Sequence, residues 1–254
     1  MRSHATGFAS CAGFTLVELA IVLTIIATLL GTLLVPLATR VEANNIRATD
    51  RAMAEIREAL LGYAVINRRL PCPDTDMDGS ENGGGAVVCA ADEGFLPWAD
   101  LGAASVDAWG RLYRYRVTAA FAREGLSLSD TGDIHIVSRG DNASTAGIVE
   151  QRGRIALGTG VPVVVLSHGP NGYGGTTLSG TRIADPDTTN DETRDERNNR
   201  NDASSEFVFR GISAEGSHCD DAIESRSLCA FDDRVVWLSG NVLFNRMITA
   251  GVLP

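Results

Sequence analysis

From Leu19 to Thr39 no residue carries a charge, and apolar side chains fill most of the run. About 20 apolar residues are enough to cross a bilayer, so the pattern predicts a membrane-spanning helix over residues 14–37. One carboxylate, Glu18, stands at the edge of that run. An ionised group beside hydrocarbon is costly and marks a functional position. Past Pro36, where a bend is expected, Ala38, Val41, Asn45, Ala48, Ala52, Ile56, Ala59, Tyr63 and Ile66 recur at spacings of three and four. Arg40, Arg47, Asp50, Arg51, Glu55 and Glu58 fall largely between them. The spacing predicts an amphipathic continuation over residues 38–67, ending before Leu70–Pro71. From Phe14 to Ile66 the whole helix would span about 80 Å.

Beyond residue 71 the period changes. Leu112–Val117 alternates, with Tyr113, Tyr115 and Val117 on one face and two arginines on the other. IHIV from Ile134, VPVVVL from Val161, FVF from Phe207 and RVVWL from Arg234 read as further strands. Few helical stretches separate them, so an antiparallel sheet is favoured over βαβ units. Asn241–Ala250 reads as a short amphipathic helix closed by Gly251. Residues 185–205, DPDTTNDETRDERNNRNDASS, are nearly free of apolar side chains and predict a solvated, mobile loop. The expected class is α+β: a long amino-terminal helix packed on an antiparallel β-sheet head over residues 71–254.

Charge and cysteine usage narrow the picture. The net charge is −10, and all the basic residues are arginine. A broad basic surface for nucleic acid is therefore not expected. Five cysteines are present; Cys11 precedes the apolar run and leaves Cys72, Cys89, Cys219 and Cys229. Four cysteines allow three pairings. The local solution joins Cys72 to Cys89 and Cys219 to Cys229, provided the body lies in an oxidising compartment; four buried thiols are the alternative.

Candidate chemistry is sparse. Asp74, Asp76 and Asp78 alternate ahead of Gly79, a spacing that lets carboxylates converge on a calcium ion. The glutamate of an EF-hand loop is missing, since Gly85 occupies the twelfth place. An acidic surface turn is the plainer reading. Asp141 and Asn142 form a weaker candidate. Ser167–His168 lacks the Gly-x-Ser-x-Gly elbow of a hydrolase. His218, Cys219 and Cys229 lack zinc spacing, and a chain without lysine cannot carry a phosphate-binding loop of the Gly-Lys type. No enzymatic activity is expected.

The segment Gly13, Phe14, Thr15, Leu16, Val17, Glu18 followed by the apolar run resembles the leader and first helix of type IV prepilins and type II secretion pseudopilins. A secretory signal peptide would have a shorter apolar core, and a plain anchor leaves Glu18 unexplained. The resemblance implies a pilin-like fold and cleavage between Gly13 and Phe14 by a prepilin peptidase. Residues 1–13 would be the leader, and Phe14 would become the N-methylated amino terminus. It also implies that Glu18 pairs with the Phe14 amine of a neighbouring subunit during assembly. DAWGRLYRY (Asp107–Tyr115) and DIHIVSRGDN (Asp133–Asn142) are similar to segments of pseudopilin heads. On this reading the chain is a structural subunit of a type IV pilus or a type II secretion pseudopilus, with other such subunits as its partners. It would be held in the inner membrane by a single pass, with its head in the periplasm. The competing reading is a membrane-anchored periplasmic binding or enzymatic module with a prepilin-like leader.

Overall fold

A computed structural model describes residues 15–83, 88–139, 154–184, 194–200, 205–209 and 231–253; the side chains of residues 30–37, 139, 154 and 194 lie outside the description. The chain divides into two compact units, residues 1–44 and 45–254.

Helix α1 (Leu16–Asn67) contributes to both units. In the first unit its side chains from Leu16 to Leu29 are all exposed, with Leu16 at 86% and Leu23 at 58%. Among the described residues no helix is long and apolar enough to cross a membrane; the expected span reaches into residues 30–37, whose side chains are not described.

In the second unit α1 presents Thr49, Met53, Ile56, Leu60, Leu61 and Ala64 to the core. This corrects the stripe predicted from sequence. Of that stripe only Ile56 is fully buried, while Ile66 is 81% exposed. Alanines recur on several faces of this helix, so they do not define one; Met53, Leu60 and Leu61 do. Each large side chain buried here contributes about 1.5–3 kcal/mol. The helix stops at Asn67, after which Arg68 adopts a positive φ of 58° that breaks the repeat. Arg234 forks onto Asp50 at 2.7 Å, and Arg246 meets Glu58 at 2.9 Å, tying the carboxyl-terminal elements to the exposed side of α1.

The head holds β1 (Glu93–Phe95), α2 (Trp98–Leu101), β2 (Arg114–Val117), α3 (Ala119–Ala122), β3 (Ile134–Arg139), β4 (Arg154–Val161), β5 (Val163–Ser167), α4 (Arg194–Arg200), β6 (Glu206–Val208), β7 (Arg234–Leu238) and α5 (Gly240–Thr249). Strands β1-β2-β5-β7 form an antiparallel sheet, as expected. A second sheet, β4-β3-β6, is mixed: β3 pairs antiparallel with β4 and parallel with β6. The expected single antiparallel sheet is thus two sheets.

The central strand β5 explains the layering. All five of its residues are buried. Alternate side chains leave a strand on opposite faces, so Val163 and Val165 enter the core against α1 while Val164 and Leu166 enter the core between the sheets. Tyr113, Tyr115 and Val117 join Val163 and Val165 on the helix side, leaving Arg114 and Arg116 of β2 on the other face. Tyr115 donates its hydroxyl to the Pro71 carbonyl at 2.8 Å. Helix α5 closes the first core with Leu243 and Met247, one turn apart. The Ser239 hydroxyl caps it by accepting from the Val242 amide, and Gly251 follows with a φ of 71°.

A second correction concerns residues 185–205. Residues 194–200 form α4, and Asp195, Glu196, Asn199 and Arg200 are buried, against the solvated loop that composition predicts; residues 185–193 and 201–204 lie outside the described residues. Buried polar groups are tolerated when hydrogen-bonded, and Asn199 meets that condition. Its Oδ1 accepts from the Val208 amide at 2.7 Å, and its Nδ2 donates to the Val208 carbonyl at 3.0 Å and to Asp233 Oδ2 at 2.9 Å.

Candidate functional site

Helix α1 begins on Thr15 and Glu18. Thr15 donates its amide and its hydroxyl to Glu18 Oε2, each at 2.9 Å. The Thr15 hydroxyl accepts in return from the Glu18 amide at 3.2 Å. This is a reciprocal capping box, Thr-x-x-Glu, which satisfies first-turn donors that have no intrahelical acceptor. The signal stood in the sequence as TLVE, so Glu18 has a local capping partner beyond the assembly role expected from the sequence. Leu16, Val17, Leu19, Ile21 and Val22 surround it, all exposed. Gly13 and Phe14, the expected cleavage pair, lie outside the described residues.

The acidic loop is closed by the Cys72–Cys89 disulfide, the local pairing expected from the cysteine spacing, with Cα atoms 5.4 Å apart. Cys219 and Cys229 lie outside the described residues. One oxygen each of Asp74, Asp76 and Asp78 falls within 4.8 Å of the others, so the predicted convergence is present. Asp74 is buried, and burial pushes its carboxyl up. It accepts the amides of Asp76 at 3.0 Å, Met77 at 2.7 Å and Gly79 at 2.8 Å. Those three bonds shape the turn without an ion, and Gly79 is required because a Cβ there would run into the Trp98 indole. The loop offers a cation three carboxylate oxygens where calcium wants six to eight, so the fit is partial. Glu81 anchors the loop to α1: it takes a forked pair of bonds from Arg69 at 2.6 and 2.7 Å, the Tyr63 hydroxyl at 2.7 Å and the Cys72 amide at 2.9 Å. Burial alone would raise the Glu81 carboxyl; these donors more than offset it and hold it below its ordinary value.

The Asp107 segment serves the fold. Asp107 Oδ1 accepts the Trp109 amide at 2.9 Å and the Arg111 amide at 3.0 Å, and Oδ2 accepts the Ser167 hydroxyl at 2.7 Å. Ser167 is thereby committed away from His168. His168 is buried with Nδ1 lying 3.6 Å from Asp233 Oδ1. Of the second head segment, Ile134–Arg139 is β3, while Asp141 and Asn142 fall outside the described residues, as does His218.

Sequence reasoning missed a buried acidic group altogether. Glu196 of α4 accepts from Asn171 Nδ2 at 3.1 and 3.3 Å and from the Asp232 amide at 3.3 Å; Asp232 Oδ2 accepts from the Asn171 amide at 2.8 Å. Burial, with the charges of Asp233 and Asp232, pushes the Glu196 carboxyl up to about 8. Burial and the Asp233 charge push Asp232 up to about 6. The adjacent acids FDDR at Phe231–Arg234 were the available signal, but nothing local in the sequence brings residue 196 to them.

Comparison with family models matches residues 9–34 to the prokaryotic N-terminal methylation motif. Among the curated proteins no match is found, and among the solved structures none is found either. The matched stretch takes in Gly13, Phe14, Glu18 and most of the apolar run, while the rest of the chain has no counterpart in these comparisons. At its amino terminus, therefore, the chain carries the methylation motif characteristic of the type IV prepilin and pseudopilin family.

Proposed function

We propose that this chain is a structural subunit, a minor pilin or pseudopilin, matured by a prepilin peptidase and assembled through α1. The methylation motif over residues 9–34 carries the reading. Cleavage after Gly13 frees a cationic amine on Phe14, four residues before Glu18. In a low-dielectric layer an amine and a carboxylate attract far more strongly than in water, and either one buried alone is heavily penalised. The pair therefore selects one axial register between neighbouring subunits. The exposed apolar side chains from Leu16 to Leu29 supply the surface that lipid or neighbouring helices would cover.

The subunit is anchored in the inner membrane with its head in the periplasm, a compartment that suits the Cys72–Cys89 bridge. The head has no enzymatic role in this reading. A calcium ion at Asp74, Asp76 and Asp78 belongs to it as a stabiliser of the disulfide-closed loop. The test is mass spectrometry of the protein from cells with and without the peptidase. A mature chain starting at methylated Phe14 is expected with the enzyme; an intact leader in both strains overturns the proposal.

A further inference from the structure

A cavity of about 470 Å³ opens on the face of the first sheet that carries Arg114 and Arg116. That volume is typical of small-molecule sites. Phe95 and Leu112 give it apolar walls; Arg114, Arg116, Arg182 and His168 line the rest. Three arginines thus line it from β2 and the loop that follows β5, beside Asp92 and Glu93; Arg182 also donates from Nη2 to the Arg200 carbonyl at 3.3 Å. Glu93 pairs with Arg114 and stands 3.7 Å from Arg116, whose other carboxylate neighbour, Asp133, lies at 3.3 Å.

One buried donor among the lining residues remains unmatched. The Arg116 Nε has no hydrogen-bond acceptor. Buried donors are rarely left in that state in a finished site. A planar guanidinium presents a fork that suits the oxygens of a carboxylate or a phosphate.

We propose that this cavity binds a small organic anion, an oxyanion group on a short apolar body. The oxyanion is held by Arg116 and Arg182, and the body lies against Phe95 and Leu112. This goes beyond a purely structural role: the head would carry a ligand into the assembly.

The full chain in detergent is titrated calorimetrically with phenyl phosphate and with benzoate, and with inorganic phosphate and benzyl alcohol as controls. At least one of the two organic anions is expected to bind with a Kd below about 1 mM, more weakly as salt rises. Arg116→Gln and Arg182→Ala are each expected to weaken it about tenfold or more, the scale of one lost charge-assisted bond. Arg182 is exposed, so Arg182→Ala decides alone if Arg116→Gln does not fold. Three results overturn the proposal: no binding of either organic anion, equal affinity for inorganic phosphate or benzyl alcohol, or an affinity unchanged by Arg182→Ala. Each can be read whether or not the leader is processed, so the outcome is separate from that of the assembly proposal.

Discussion

Glu18 and Thr15 cap each other: one carboxylate oxygen takes two bonds from Thr15, and the Thr15 hydroxyl takes one back. The carboxylate that would register one subunit against the next therefore already has a partner inside its own chain. The proposed assembly through Glu18 would exchange a local cap for a contact with another copy, and substitutions can separate the two roles.

Thr15→Ala removes the hydroxyl half of the cap, a loss of about 1 kcal/mol to the first turn, and leaves the charge on Glu18. Glu18→Gln retains an acceptor for the Thr15 donors and removes the charge. Glu18→Gln is expected to reduce the fraction recovered in sheared filaments or pseudopili severalfold, while Thr15→Ala leaves it near wild type. Equal loss in both would assign the position to capping rather than to register.

The acidic group around α4 predicts an unusual pH response. The folded Glu196 and Asp232 titrate near 8 and 6, against ordinary values of 4.5 and 3.8. A carboxyl raised on folding binds its proton more tightly in the native state. Its contribution to stability is therefore full below the unfolded value and is lost as pH rises through the folded value. For Asp232 the loss runs from about pH 4 to 6, and for Glu196 from about pH 4.5 to 8. Melting followed by circular dichroism should give a lower Tm at pH 9 than at pH 6. Glu196→Gln, which keeps the shape without the charge, should flatten much of that slope. A slope identical in the variant would remove Glu196 as its source.

The disulfide between Cys72 and Cys89 closes a loop with a sequence separation of 17. Cross-linking a loop of that size stabilises by about 3 kcal/mol in the chain-entropy model. Reduction, or the double replacement Cys72→Ser with Cys89→Ser, is expected to lower the Tm by several degrees. An unchanged Tm under reducing conditions would mean that the bridge contributes nothing.

Within that loop, Asp74 and the ion expectation can be tested together. Asp74→Ala strands three amide donors in and around a buried turn and is expected to destabilise by about 2–4 kcal/mol. Calcium added to the wild type should raise the Tm, and the rise should vanish in Asp76→Asn with Asp78→Asn, which leaves the Asp74 turn intact. No rise at millimolar calcium would assign the three acids to turn formation alone.

Much of this architecture was legible from pattern. Strands β2 and β7 and helix α5 follow from alternation or a four-residue apolar spacing. The β5 run was legible because a strand buried on both faces reads as continuous apolar sequence. The rotated face of α1 was not, since its alanines fit several stripes and only packing shows which one is covered. Strand β4, RIALGTGV, was missed because Gly158 and Gly160 dilute its pattern. Helix α4 was missed for a different reason. DERNNR is as polar as a linker, and its burial depends on partners at Asn171, Val208 and Asp232–Asp233 that no local window contains. The amino-terminal motif was fully legible, because its information is contiguous.

The Asn199 side chain has a consequence for how copies of this protein meet. One planar amide occupies both polar groups of Val208 on the side of β6 turned away from β3. That is the slot an incoming strand from another molecule would need to extend the second sheet. By plugging it from within, the fold discourages disordered clumping through β6.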